Sequence, residues 1–91
     1  MFVYVLESLS TGRYYVGSTS DLMHRLEEHN APETNPSRWT RSRGPWKLVF
    51  SKEFGSAAES LRAERFVKRM KSRAYIEKLV AGERSLDRWP T

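Results

Sequence analysis

Two short runs of β-branched and aromatic residues, Phe2-Val3-Tyr4-Val5-Leu6 and Tyr14-Tyr15-Val16-Gly17, stand on either side of Ser10-Thr11-Gly12-Arg13. Runs of this composition form buried strands. Gly12 can take the positive φ of a tight turn, and so short a link predicts an antiparallel hairpin. The N-terminal part of the chain is therefore committed to a sheet. With 91 residues in all, the rest must complete a single core, because a domain this small buries only roughly 60–65% of its unfolded surface. The absence of cysteine excludes disulfide staples, thiolate zinc sites and a cysteine nucleophile, and fits a reducing compartment.

The remaining elements follow from caps and periodicity. Ser20 is a good N-cap with Asp21 in the first turn, which predicts a helix over about 21–30. Residues 31–45 hold three of the four prolines and read as the longest loop. Trp46 to Phe54 reads as a third strand. Ser56-Ala57-Ala58-Glu59 is a capping-box pattern that opens a long helix. Ala63, Phe66, Val67, Met70 and Ala74 then give that helix one apolar stripe. Tyr75, Ile76, Leu79 and Val80 extend or restart it, and Gly82 ends it. The predicted fold is α+β: a three-stranded antiparallel sheet flanked by helices in the order ββαβαα, with a domain over 1–82 and a tail over 83–91. No apolar run approaches the roughly 20 residues needed to span a bilayer. The N-terminus shows no signal-peptide pattern, so a soluble cytoplasmic protein with no membrane partner is expected.

Charge is distributed unevenly. Residues 1–35 sum to −3 and residues 36–79 to +8, within an overall +5. A basic segment of this kind is the footprint of a polyanion partner; a solubilising surface has the same composition. Arg38, Arg41, Arg43, Lys47, Lys68 and Lys71 are the candidates for tracking a nucleic-acid backbone, and Trp39 for stacking on an exposed base. Gly17 and Ser18 place backbone N–H groups close to the start of a helix, where a phosphate is tolerated.

Several residues fit a core poorly. Arg25 and His29 share the inward face of the first predicted helix with Leu22 and Leu26, so they must be paired or face a cleft. Tyr4 and Tyr15 stand in the two strands of one hairpin, where their hydroxyls can meet at one rim. Glu64, between Arg62-Ala63 and Arg65, falls at the margin of the apolar stripe. Its carboxylate is a hard oxygen ligand suited to Mg²⁺.

Together these positions resemble the GIY-YIG endonuclease family, over most of the chain from Val3 to about Val80. Val3-Tyr4-Val5 stands where the family has GIY, and Tyr15-Val16-Gly17 where it has YIG. Arg25 falls at the family's arginine, with His29 four residues on, and Glu64 at its metal-binding glutamate. Trp39-Thr40-Arg41 and Pro45-Trp46-Lys47-Leu48-Val49 look like the loop and third strand of small stand-alone members. Phe2 replaces the first glycine, and Ser18 stands where some DNA-repair incision subunits carry a lysine. The resemblance implies Mg²⁺- or Mn²⁺-dependent hydrolysis of DNA, with RNA as a second substrate class, and a protein partner to supply targeting. In that scheme Glu64 holds the metal, Arg25 binds the phosphoryl oxygens, and Tyr4 activates water as a phenolate depressed by Arg25 or the metal. Tyr15 orients water or phosphate, and His29 relays the proton. The reading from a different class is a nucleic-acid-binding module with the same fold and little turnover.

Overall fold

The structure is a computed structural model, and it describes residues 1–31, 33, 35 and 37–86. Strands β1 (Phe2–Ser8), β2 (Tyr14–Thr19) and β3 (Trp46–Glu53) form one antiparallel sheet in the order β2-β1-β3. The β1–β2 hairpin turns at Gly12, whose φ is 75°. In its register Tyr4 pairs with Gly17, Leu6 with Tyr15 and Val3 with Ser18.

Because strand side chains alternate between faces, the central strand buries both of its own. Val3 and Val5 join Val16, Phe54, Ala63, Val67, Leu79 and Leu86 in the larger core. Tyr4 and Leu6 join Trp46 on the other side, under Leu22 and Leu26. The first core is covered by α3 (Ala57–Met70) and α4 (Arg73–Val80), the second by α1 (Leu22–His29). The α+β fold and the ββαβαα order of its main elements agree with the sequence reading.

Four local features differ from it. The α1 helix is capped by Asp21, not Ser20: the Asp21 carboxylate accepts from the His24 N–H, while Thr19 Oγ1 accepts from the Asp21 N–H. The 31–45 loop contains a one-turn helix, α2 (Arg38–Arg41), capped by Ser37. Of the two readings of the last segment, restart is the one found: α3 ends at Lys71, which takes φ 47° at the C-cap, and Ser72 caps α4, so the apolar stripe read through Ala74 is divided between two helices. Met70, at that break, is therefore exposed, and Ala74 belongs to α4. Finally, Leu86 is fully buried in the larger core, so the folded unit runs beyond Gly82 into the segment read as a tail. Residues 87–91 lie outside the described residues.

Candidate active site

The five residues singled out by sequence converge at the β2 edge of the sheet. Tyr4 comes from the central strand, and its ring lies over Gly17 of the neighbouring strand: a β-carbon at Gly17 would stand 2.6 Å from the hydroxyl oxygen and 2.7 Å from Cζ. Only a residue without a side chain permits that crossing. Tyr15 projects from β2 on the same face, with ring centroids 6.3 Å from Tyr4 and 5.0 Å from His29.

His29 is 1% exposed, at the last turn of α1. Its Nε2 lies 3.0 Å from the Tyr4 hydroxyl and its Nδ1 3.0 Å from Thr40 Oγ1. Burial, reinforced by the nearby Arg25 charge, pushes the imidazole pKa down to about 4, so the ring is neutral near pH 7. Arg25, one turn earlier, is half-buried between Tyr4 and Glu28, and its Nη1 lies 3.2 Å from Glu28 Oε1. Burial works against that charge, but the partners outweigh it and hold the proton more tightly than usual.

Of the two influences expected to depress the Tyr4 phenol, Arg25 does not do so by itself. Burial raises its pKa to about 12; the Arg25 hydrogen bond pulls in the opposite direction and does not overcome it. Tyr4 rests as a neutral phenol because its ring is held inside the fold, where a phenolate would be poorly solvated.

Glu64 reaches the same edge from the other face of the sheet. Ser18 pairs with Val3 in the ladder, so its side chain shares the α3 face, and its hydroxyl donates to Glu64 Oε1 at 2.6 Å. Lys68, one turn along α3, places Nζ 2.6 Å from Oε2 and 6.0 Å from the Tyr15 ring centroid. Among the described residues no three His, Cys, Asp or Glu side chains gather as a metal cage. The donor set still fits Mg²⁺ or Mn²⁺, because Mg²⁺ commonly takes one or two carboxylates and completes its shell with water and substrate phosphate. The lysine on Oε2 is half-exposed.

The proposed nucleic-acid residues are more dispersed. Gly17 and Ser18 lie inside β2, not at a helix N-terminus. Lys68 pairs with Glu64, and Lys71 caps α3. A groove of about 470 Å³ opens beside the site, floored by Tyr15, Val16, Val67 and Ile76, with Trp39 on its wall and Lys68 and Lys71 on its rim. Arg13 and Arg73 also line it, and the sequence reading did not single them out. Trp39 is stacked near Tyr15 at 6.2 Å, and the Arg43 guanidinium already covers its ring at 4.5 Å. Arg38 and Arg41 are exposed on α2. Lys47 stands apart on β3, opposite Glu7.

Sequence reasoning also missed Asn35 and Thr40 as site residues. Both are buried beside His29. The Ser37-x-x-Thr40 spacing inside the proline-rich loop is the only local signal for the turn that carries Thr40.

A three-stranded antiparallel sheet that gathers two hairpin tyrosines, a helical Arg/His pair and a glutamate at one edge matches the GIY-YIG class of domain. The GIY-YIG catalytic domain matches residues 1–78, which take in the whole edge cluster, and the chain belongs to that family. It is 40% identical over 70 residues to a UPF0213 protein of Streptococcus pneumoniae, covering 77% of this chain and 68% of the relative. A UPF0213 protein of Halobacterium salinarum is 42% identical over 77 residues, covering 85% and 95% of the two chains. The solution NMR structure of the UPF0213 protein BH0048 from Bacillus halodurans superposes with a TM-score of 0.54 at 38% identity, covering 88% of this chain and 81% of that one. No helix among the described residues is long and apolar enough to cross a membrane.

Proposed function

We propose that this protein is a divalent-metal-dependent endonuclease that hydrolyses DNA phosphodiesters with structure selectivity or weak sequence specificity. The observation that carries this reading is the convergence of Tyr4, Tyr15, Arg25, His29 and Glu64 at one sheet edge, where Tyr15 also lines a groove carrying four cationic side chains. Hydrolysis requires water to attack phosphorus, negative charge to build on the non-bridging oxygens, and an alkoxide to leave. Arg25 would bind those oxygens and stabilise their charge, a role its half-buried guanidinium beside Tyr4 supports. Tyr4 takes the proton of the attacking water while its own proton moves to His29, which avoids a free phenolate in a buried position. Tyr15 orients the water or phosphate. Glu64 would hold a divalent ion, which when bound would supply charge neutralisation for the phosphate and its leaving group. Magnesium is the first candidate, and manganese the second.

The groove supports a nucleic-acid strand laid beside Tyr15 and Trp39, its phosphates met by Arg13, Lys68, Lys71 and Arg73. Contacts of that kind carry little sequence information, so targeting would come from DNA structure or from a protein partner. The test is cleavage of labelled single strands, duplexes, flaps and junctions by the purified protein, with Mg²⁺ and with chelator. Mg²⁺-dependent nicking is expected. Tight binding with no cleavage in either Mg²⁺ or Mn²⁺ would leave a binding module in place of the enzyme.

A further inference from the structure

Four polar side chains run in line through the interior: Asn35, Thr40, His29 and Tyr4. The Asn35 amide is oriented by its own neighbours. Its Oδ1 accepts from the Ser37 N–H at 2.9 Å, and its Nδ2 donates to the His29 carbonyl at 3.3 Å and to Thr40 Oγ1 at 2.8 Å. Turned the other way, the amide would set its NH₂ against an N–H and its oxygen against a carbonyl. Thr40 Oγ1 must therefore accept from Asn35, and it has one proton and one lone pair left. The Ser37 carbonyl, which also accepts the Arg41 N–H, lies 3.4 Å away and is an acceptor open to that proton. The remaining lone pair faces His29 Nδ1 at 3.0 Å, which closes the chain if Nδ1 carries the hydrogen.

The far end of the chain agrees. The Arg25 guanidinium beside Tyr4 can only donate, so it cannot take the phenol proton. Among the described residues His29 Nε2, at 3.0 Å, is the acceptor that meets it. Both ends favour the same form of the ring.

We infer that Thr40, held by Asn35, is a positioning residue that fixes His29 in the Nδ1–H form and leaves Nε2 bare to accept the Tyr4 proton. The inference deepens the proposed nuclease reading, because it assigns the direction of proton flow at that site. A histidine in the opposite form would donate to Tyr4 and block the transfer. The second ring nitrogen of a functional histidine is commonly set in this way by the group it bonds.

The test reads the ring itself. Long-range ¹⁵N–¹H correlation spectra of the full chain near neutral pH distinguish a protonated Nδ1 from a protonated Nε2, whether or not the protein cleaves anything. The wild type should show His29 with Nδ1–H and an unprotonated Nε2. Thr40→Ser should keep that signature, and Thr40→Val should shift the ring toward Nε2–H. On a cleaved substrate, Thr40→Val should lower kcat by at least about tenfold with KM little changed, consistent with partial loss of a proton-transfer contribution worth typically 100-fold or more; Thr40→Ser should recover most of it. A wild-type ring protonated on Nε2, or a folded Thr40→Val that keeps the wild-type signature, would overturn the inference. A protein that cleaves nothing would overturn the nuclease reading and leave the spectra to decide this one.

Discussion

Gly17 lies directly under the Tyr4 phenol, at the pairing position opposite it in the hairpin. The third YIG-like position is therefore a passage for a side chain from the next strand. The same close approach lets Tyr4 leave the central strand and reach the edge where Tyr15 and Glu64 stand.

Gly17→Ala should thus displace the Tyr4 ring, since the new methyl would meet Oη, Cζ and Tyr15 Cε2 within 3.1 Å. Overpacking of this kind costs about 1–3 kcal/mol. A lower melting temperature with a disproportionate loss of cleavage is expected. Wild-type activity in this variant would show that Tyr4 need not hold its position.

Glu64→Gln should remove cleavage by roughly 100-fold or more while sparing the fold. The amide oxygen can still accept from Ser18, and the lost pair with half-exposed Lys68 contributes at most about 1 kcal/mol. Circular dichroism, nucleic-acid affinity and a Mg²⁺ cleavage assay check this together. Unchanged turnover would dismiss Glu64 as the metal's carboxylate.

Arg25→Ala should damage turnover more than binding. Arg25→Lys should rescue only in part, because a point charge does not reproduce a planar fork of donors. Kinetics under saturating substrate separate the two effects; equal losses in kcat and affinity would make Arg25 a plain anchoring group.

Stability should fall with acid in a defined window. His29 titrates near 4 in the folded chain and near 6.5 when unfolded, so the unfolded chain binds the extra proton first. Its contribution is complete above about pH 6.5 and is lost as pH drops through about 4, a change of roughly 3 kcal/mol. Melting temperatures from pH 7 to pH 4 should show this slope, and His29→Gln should flatten it. An equally steep slope in that variant would place the titrating group elsewhere.

Lys71 should separate stability from binding. It holds a left-handed conformation at the α3 C-cap, where glycine is at ease. Lys71→Gly should stabilise the fold by about 1 kcal/mol and also weaken nucleic-acid affinity. Its log–log salt slope should drop by roughly 0.7–0.9. An unchanged slope would take the strand's path off this rim.

The fold was legible in the sequence where local signals and burial agree. The hairpin shows in β-branched runs around Gly12, and α3 in its cap and in Ala63 and Val67. Tyr4, Tyr15, Arg25, His29 and Glu64 were found through polar groups at inward positions and the family resemblance. What stayed hidden depends on tertiary contacts. Ser20 and Asp21 are both good caps, and the Thr19 hydroxyl decides between them. Asn35 and Thr40 sit in a proline-rich stretch without periodicity, and they acquire a role only when that stretch folds back on His29. Glu64 and Lys68 have the spacing of a helical ion pair, yet a basic segment suggests free phosphate contacts.

The edge cluster draws on both faces of the sheet: Tyr4, Tyr15, Arg25 and His29 on the α1 side, Glu64 with Ser18 on the α3 side. The first four are contributed by residues 4–29, and the carboxylate arrives only at residue 64. A chain ending at β3 would carry those four residues but neither Glu64 nor the α3 residues Ala63 and Val67 that complete the larger core. On the nuclease reading, the carboxylate stands at the edge only where α3 packs against the sheet, so seating that helix and completing the site are one event.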